Sequence, residues 1–408
     1  MKHMINLLVI ILTMSQPALS QSGWQSQNPP STPNDLYCVT FVDENTGWCI
    51  GENGTILRSI NGGTNWSSQV SGTSNLLLSS FFINSNTGWI SGEDGIILST
   101  TNSGVNWNLT SFGTFSDLIS IWFIDANTGW TAGQSGVMKK TTNSGVNWQD
   151  LSSGTTNFLI SVTFKSTTIG WAVGYLGTVI KTTDGGSSWT VQQSNTEDYL
   201  RSVRFTDLNT GWIAGDNGVI LKTTNGGTNW TLQNSGSTAF LQSVCFIDAS
   251  TGWISGNNGT VLRTTNSGNN WISQSTNTTE LLISIFFVDA NKGWVAGFNG
   301  KMMKTTTGGT VFVENISNEI PVEFELQQNF PNPFNPVTGI VYKLPHSGIV
   351  SLKVFDSNGK QIGVLIDEKQ SPGIYKAKFD AGGLSSGVYF YKLTAGNQSA
   401  VRKMILLK

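Results

Sequence analysis

Three aromatic residues spaced 41 apart, Phe158, Tyr199 and Phe240, are the side chains of this chain best suited to holding a ligand. Two arginines, Arg201 and Arg204, closely follow the middle one. Tyr175 and Asp216 share the same spacing, at a position where the other copies of the surrounding pattern carry Glu52, Glu93, Gln134, Asn257 and Phe298. Aromatic faces with one cationic spot suit a glycan or an extended peptide. The opposing reading is that these aromatics only pin their loops. Groups that make or break bonds are sparser. The two histidines, His3 and His346, fall outside the repeated region, which excludes a His-dependent triad or a His-rich metal site there. No catalytic residue, metal ligand or cofactor is assigned. A two-carboxylate glycosidase stays open, because carboxyl separation cannot be read from sequence.

The elements that position these residues come from a period. Trp48, Trp89, Trp130, Trp171, Trp212, Trp253 and Trp294 each lie 41 residues from the next, and a second series runs from Trp66 to Trp271. The seventh place of that second series, position 312, holds Phe312, and the missing Trp turns up at the other end as Trp24. Each copy contains four short runs of β-branched and aromatic residues separated by Gly- and Asn-rich turns, hence four strands. A blade of this kind cannot bury both faces until neighbours pack against it, so the pattern predicts a seven-bladed β-propeller over residues 21–313. The segment Gly23-Trp24-Gln25-Ser26-Gln27 reads as the outer strand that closes the last blade. The rival assignment gives that place to Val311–Val313. The repeated Trp residues read as packing groups, since identical residues in every blade cannot mark one asymmetric site.

Two further expectations come from comparing copies. Five residues before the first Trp stand Asp43, Asn84, Asp125, Ser166, Asp207, Asp248 and Asp289; ten residues after it stand Arg58, Ser99, Lys140, Lys181, Lys222, Arg263 and Lys304. Copy two loses both charges together, which suggests ion pairs within each blade, and copy four is an exception. Cys38 and Cys49 both replace repeat residues in the first copy. If Val39 stands opposite Trp48, the two cysteines face each other within disulfide reach, while Cys245 stays unpaired.

The start Met1-Lys2-His3, the apolar run Ile5 to Met14 and Ala18-Leu19-Ser20 together read as a signal peptide over residues 1–20. Export permits oxidation. No later segment is long and apolar enough for a membrane helix. All ten prolines lie outside residues 34–320 and all fifteen tryptophans lie before residue 295, so a second domain is placed at 321–408 after a linker at 314–320. Its short alternating runs, such as Val350 to Phe355 and Gly387 to Leu393, fit an antiparallel β-sandwich. A net charge of −2 with 12% charged residues offers no basic stripe for nucleic acid.

The stretch Thr182-Thr183-Asp184-Gly185-Gly186-Ser187-Ser188-Trp189 resembles the Asp-box, or BNR, turn of sialidases and related propellers. Taken with the Asn-Thr-Gly-Trp element, the repeat is similar to the photosystem II assembly and stability factor family. That resemblance implies architecture and leaves function open, because one fold hosts many activities. Of the four propeller arginines, Arg58 and Arg263 occupy a place usually held by Lys. Arg201 and Arg204 alone cannot make the arginine triad of a sialidase. The C-terminal part resembles the sorting domain of type IX secretion substrates, through Gln328-Asn329-Phe330-Pro331-Asn332-Pro333-Phe334-Asn335-Pro336, Leu384 to Tyr391, and the ending Lys403 to Lys408. It implies passage through the periplasm, partnership with the type IX machinery, and a product released or held at the outer surface. The reading is therefore a non-catalytic binding or scaffold propeller for an extracellular glycan or protein. The alternative is an extracellular carbohydrate-active hydrolase, which a glycan array run beside a hydrolysis assay separates.

Overall fold

Runs of β-branched and aromatic residues cut by Gly and Asn turns form hairpins wherever they can share an apolar face, and the computed structural model of the protein folds each copy this way. It describes residues 23–27, 29, 34–112, 116–309, 313–317, 319–381 and 384–408; the expected signal segment lies outside them. In the fifth blade strand A spans Leu200–Phe205, strand B Gly211–Gly215, strand C Ile220–Thr223 and strand D Thr231–Gln233, each antiparallel to the next. Seven such four-stranded sheets succeed one another within residues 22–310.

The seventh sheet borrows its outer strand from the far end of the chain. Gly23–Ser26 lies antiparallel to Met302–Gly309, with Gln25 opposite Lys304, just as Thr231 stands opposite Lys222 in blade five. The rival assignment fails, because Val313 begins a strand of the second domain.

Packing between blades is aromatic. Each strand-B Trp is buried and stacks on the strand-A Phe of the following blade, with ring centroids 3.5 to 3.7 Å apart. The same Phe meets the strand-D Trp of its own blade edge-on at 5.7 to 6.1 Å, and Trp24 takes that place against Phe287. Such contacts contribute about 0.5–1.5 kcal/mol each beyond area burial.

The expected ion pairs do not form among the described residues. Asp43 Oδ1 instead accepts the backbone N–H groups of Asn45 and Thr46 at 2.7 Å, and Asp125, Asp207, Asp248 and Asp289 do the same in their turns. Asn84 and Ser166 accept in the same geometry. The position requires a side-chain oxygen and not a charge, which removes the anomaly of copy four. The cations lie 5.2 to 5.8 Å from the centroid of their own blade's strand-B Trp. Here the attraction is to the ring's electron-rich face.

The expected disulfide is also absent. Val39 pairs with Cys49 and Thr40 with Trp48, one step off the expected register, so Cys38 and Cys49 project from opposite faces of the blade. A bulge between Leu36 and Cys38 shifts the upper part of the hairpin. All three cysteines are free.

The second domain is a pair of four-stranded antiparallel sheets around one core containing Tyr342, Leu352, Tyr391 and Leu406. The first sheet includes Val313–Ser317, paired along Gly373–Asp380. Residues 314–317, expected as linker, therefore belong to the sandwich. Proline content placed the boundary too late, because what fixes it is a sheet edge needing a partner.

Candidate functional site

The B–C turns and the loops leading into strand A share one face, tied by backbone hydrogen bonds. The N–H of Tyr175 donates to the Phe158 carbonyl (3.0 Å), that of Asp216 to Tyr199 (2.9 Å), and that of Asn257 to Phe240 (3.1 Å). Each variable turn residue is thus fastened beside the residue preceding strand A, and the sequence candidates are brought together. Phe158 and Tyr175 stack at 5.0 Å, and Tyr175 stacks on Tyr199 of the next blade at 4.0 Å with planes 4° apart. The result is a three-ring ladder across blades four and five. Tyr199 and Phe240 remain 37% and 42% exposed.

Arg201 is not a free cationic spot. Its Nε and Nη2 both bond the Asp216 carboxylate, the latter at 2.9 Å, in a bidentate pair that holds the guanidinium beside the ladder. Arg204 is separated from the others. It lies two strand positions beyond the Ser202 level, with its guanidinium 5.3 Å from the Trp122 ring centroid of blade three.

A cavity of about 650 Å³ opens at the mouth, within the range of small-ligand sites. Tyr175, Arg201 and Phe240 line one side, and Tyr37 and Phe298 the other. The strand-A position that holds Tyr37 and Arg201 is apolar in four other blades, as Leu78, Ile119, Ile160 and Ile283, and polar at Gln242. Below them runs a ring of serines that also fastens blades. Ser120 Oγ accepts the N–H of Val162 at 3.1 Å, and Ser79, Ser161, Ser202 and Ser284 make the corresponding bond to their following blade. Cys38 takes the serine place in blade one, its sulfur 3.4 Å from Ser80 Oγ. The Tyr37 hydroxyl titrates above its ordinary value because of burial and then the nearby Asp35 and Glu52 carboxylates, so it stays a proton donor.

Sequence reasoning missed Tyr37 and Gln242 at the mouth, and Leu176, which lines a separate cleft with Asn157, Thr196 and Glu197. Leu176 left a usable signal: its repeat position is otherwise Asn53, Asp94, Ser135, Asn217, Asn258 and Asn299, all at φ between 53° and 56°. Those residues tolerate the left-handed region, whereas Leu adopts it at φ 53° against a cost of about 1–2 kcal/mol. Its side chain is 61% exposed, so burial does not offset that cost. Strain of this sort concentrates at functional sites.

Residues 16–149, 140–235 and 234–324 match the family described as photosynthesis system II assembly factor YCF48. The chain belongs to that family. Residues 328–407 of this YCF48-family chain match the secretion system C-terminal sorting domain, which marks it for secretion or cell-surface display and for interaction with the secretion machinery. Among solved structures, YCF48 bound to D1 peptide is 22% identical, with a TM-score of 0.61 over 71% of this chain and 99% of that one. PorZ, a bacterial surface component of the type IX secretion system of Porphyromonas gingivalis, is 12% identical, with a TM-score of 0.55 over 94% of this chain and 60% of that one. The GH74 enzyme of Niastella koreensis is 13% identical, with a TM-score of 0.58 over 93% of this chain and 74% of that one. These likenesses bear on fold. A search of curated proteins gives no match.

Proposed function

We propose that the protein is a secreted or cell-surface binding propeller, without chemistry of its own, that holds an extended segment of another protein in the mouth formed by blades four to six. The observation that carries this reading is the break in sevenfold symmetry at that place. Blade four carries Tyr175 there, and blade five adds Tyr199, Arg201 and Asp216. Two features favour a peptide over a sugar. Tyr175 is covered on both faces by Phe158 and Tyr199 and so offers no open π surface to a sugar's C–H groups, and the wall beside Arg201 is aliphatic at Leu78, Ile119, Ile160 and Ile283. Apolar side chains of an extended peptide fit such a wall, while Arg201, Gln242 and Asn257 offer polar groups to its backbone. The similar structure of YCF48 bound to D1 peptide is consistent with this reading.

The test is a screen of the mature chain against a displayed random-peptide library beside a glycan array and a panel of polysaccharide hydrolysis assays. Peptides should be enriched, and Tyr199→Ala combined with Arg201→Ala should weaken the best of them at least tenfold, with the propeller still folding cooperatively although the lost Arg201–Asp216 pair lowers its melting temperature by several degrees. Glycan binding alone, turnover of a polysaccharide, or unchanged peptide affinity in the double variant would each overturn the proposal.

A further inference from the structure

The sorting domain carries an unusual expenditure of hydrogen bonds around one side chain that its own fold does not use. Phe330 is 83% exposed, the most exposed aromatic ring among the described residues. Its backbone is nonetheless held on every side. Phe330 exchanges both backbone hydrogen bonds with Gly339, at 2.8 and 2.9 Å. The preceding Asn329 is buried, and its Nδ2 donates to the Pro331 carbonyl and to Thr338 Oγ1, each at 3.0 Å. The Asn329 N–H donates to the Tyr391 hydroxyl, which in turn donates to the Gln327 carbonyl, both at 2.8 Å. Burial pushes the Tyr391 phenol up to about 12, so that relay keeps its proton.

The same turn is bonded to the end of the chain. Asn332 Oδ1 accepts the Ile405 N–H at 2.9 Å, the Phe334 N–H donates to the Ile405 carbonyl at 3.0 Å, and the Leu407 N–H donates to the Phe334 carbonyl at 3.0 Å. Gln328 Nε2 donates to the Lys403 carbonyl at 2.7 Å, and the Lys408 N–H donates to Ser386 Oγ at 3.0 Å. Three segments remote in sequence, around residues 328–336, 384–391 and 403–408, therefore form one connected element. Residues 326–336 and 384–408 contain Lys392, Arg402, Lys403 and Lys408 and no Asp or Glu.

A solvated Phe gains nothing for the fold, whereas a rigidly displayed aromatic loses little entropy when a partner covers it. We propose that the export signal of this protein is this assembled element and not a linear C-terminal peptide. Phe330 is its anchor ring, taken into an apolar pocket with an acidic rim on a protein of the secretion machinery. This inference rests on the tail being a sorting domain, which residues 328–407 establish by their match.

The experiment follows the full-length chain in a bacterium with a type IX system, by immunoblot of periplasmic and extracellular fractions. The variants are Phe330→Ala, Ile349→Ala as an exposed apolar control on the same domain, and a chain ending at residue 310. Ile349 is 65% exposed. Phe330→Ala should lower the exported fraction at least tenfold with the melting temperature of the sandwich unchanged, and Ile349→Ala should be exported normally. Normal export of Phe330→Ala, a comparable defect in Ile349→Ala, or a defect accompanied by a lowered melting temperature would each overturn the inference. The truncated chain keeps the two layers distinct. If it stays in the periplasm while Phe330→Ala is exported, the anchor fails and the sorting role stands; if it too is exported, the sorting role fails.

Discussion

Replacing Trp24 by alanine tests how the ring is held shut. Trp24 is 3% exposed, packs edge-on against Phe287 at 5.7 Å, and shares a core with Trp253, Leu282 and Val295. Its indole N–H also donates to Gln274 Oε1 at 3.1 Å. Truncating a buried Trp costs about 3–5 kcal/mol from lost transfer energy and the cavity left behind. The Gln274 amide keeps its bond from Nε2 to the Gly308 carbonyl, so the polar loss adds little. For a unit of residues 22–310, with about 2.1 cal/mol/K of unfolding entropy per residue, that corresponds to a fall of roughly 5–8 °C in melting temperature. Trp66→Ala, the equivalent change inside the first blade, is the control and should cost a similar amount. Scanning calorimetry of the protein measures both. If Trp24→Ala shifts the melting temperature by less than about 2 °C while Trp66→Ala behaves as expected, the terminal strand is an ornament and the closure argument is wrong.

Leu176→Asn should raise propeller stability by about 1 kcal/mol by relieving the left-handed Leu; a drop in melting temperature would refute the strain argument. Thiol titration of the denatured protein under non-reducing conditions should count three free thiols, and a count of one would restore the Cys38–Cys49 bridge. Asp184 is held down to about 2 by the Ser188 hydroxyl and N–H and then by the Thr182 hydroxyl. Because its folded value lies below the ordinary carboxylate value, it contributes stability above about pH 4 that is lost as pH falls toward about 2. Asp184→Asn, the residue found in five other copies, should flatten that part of the urea-midpoint curve, and an unaltered curve would show that the carboxylate is uncoupled from folding. A double-mutant cycle on Lys140 and Trp130 should give a coupling of about 0.5–1 kcal/mol, and one on Lys140 and Asp125 close to zero; the reverse order would reinstate the ion pairs.

Sequence by itself determined the architecture, because a 41-residue period with one Trp per strand B can be satisfied only by units that bury the same face in the same way. It also located the closing strand at Trp24, since a repeat lacking a member at one end and holding a spare at the other has a single economical solution. The sorting tail was legible for a different reason: its motifs are contiguous runs. Register was decided only in three dimensions. The A–B turn sets Phe41 opposite Gly47 and hence Val39 opposite Cys49, and one residue of slip exchanges the faces of a strand, which undid the disulfide. The ion pairs failed because covariation of Asp43-type and Arg58-type positions reflects two separate demands, an oxygen for a turn and a cation for an indole face. Chain position alone put Phe158, Tyr175, Tyr199, Asp216 and Phe240 in the turns and lead-ins that backbone hydrogen bonds join on one face. That Arg201 is paired with Asp216 of its own blade, and that Arg204 reaches Trp122 of blade three, were decided by side-chain geometry that the 41-residue period does not carry.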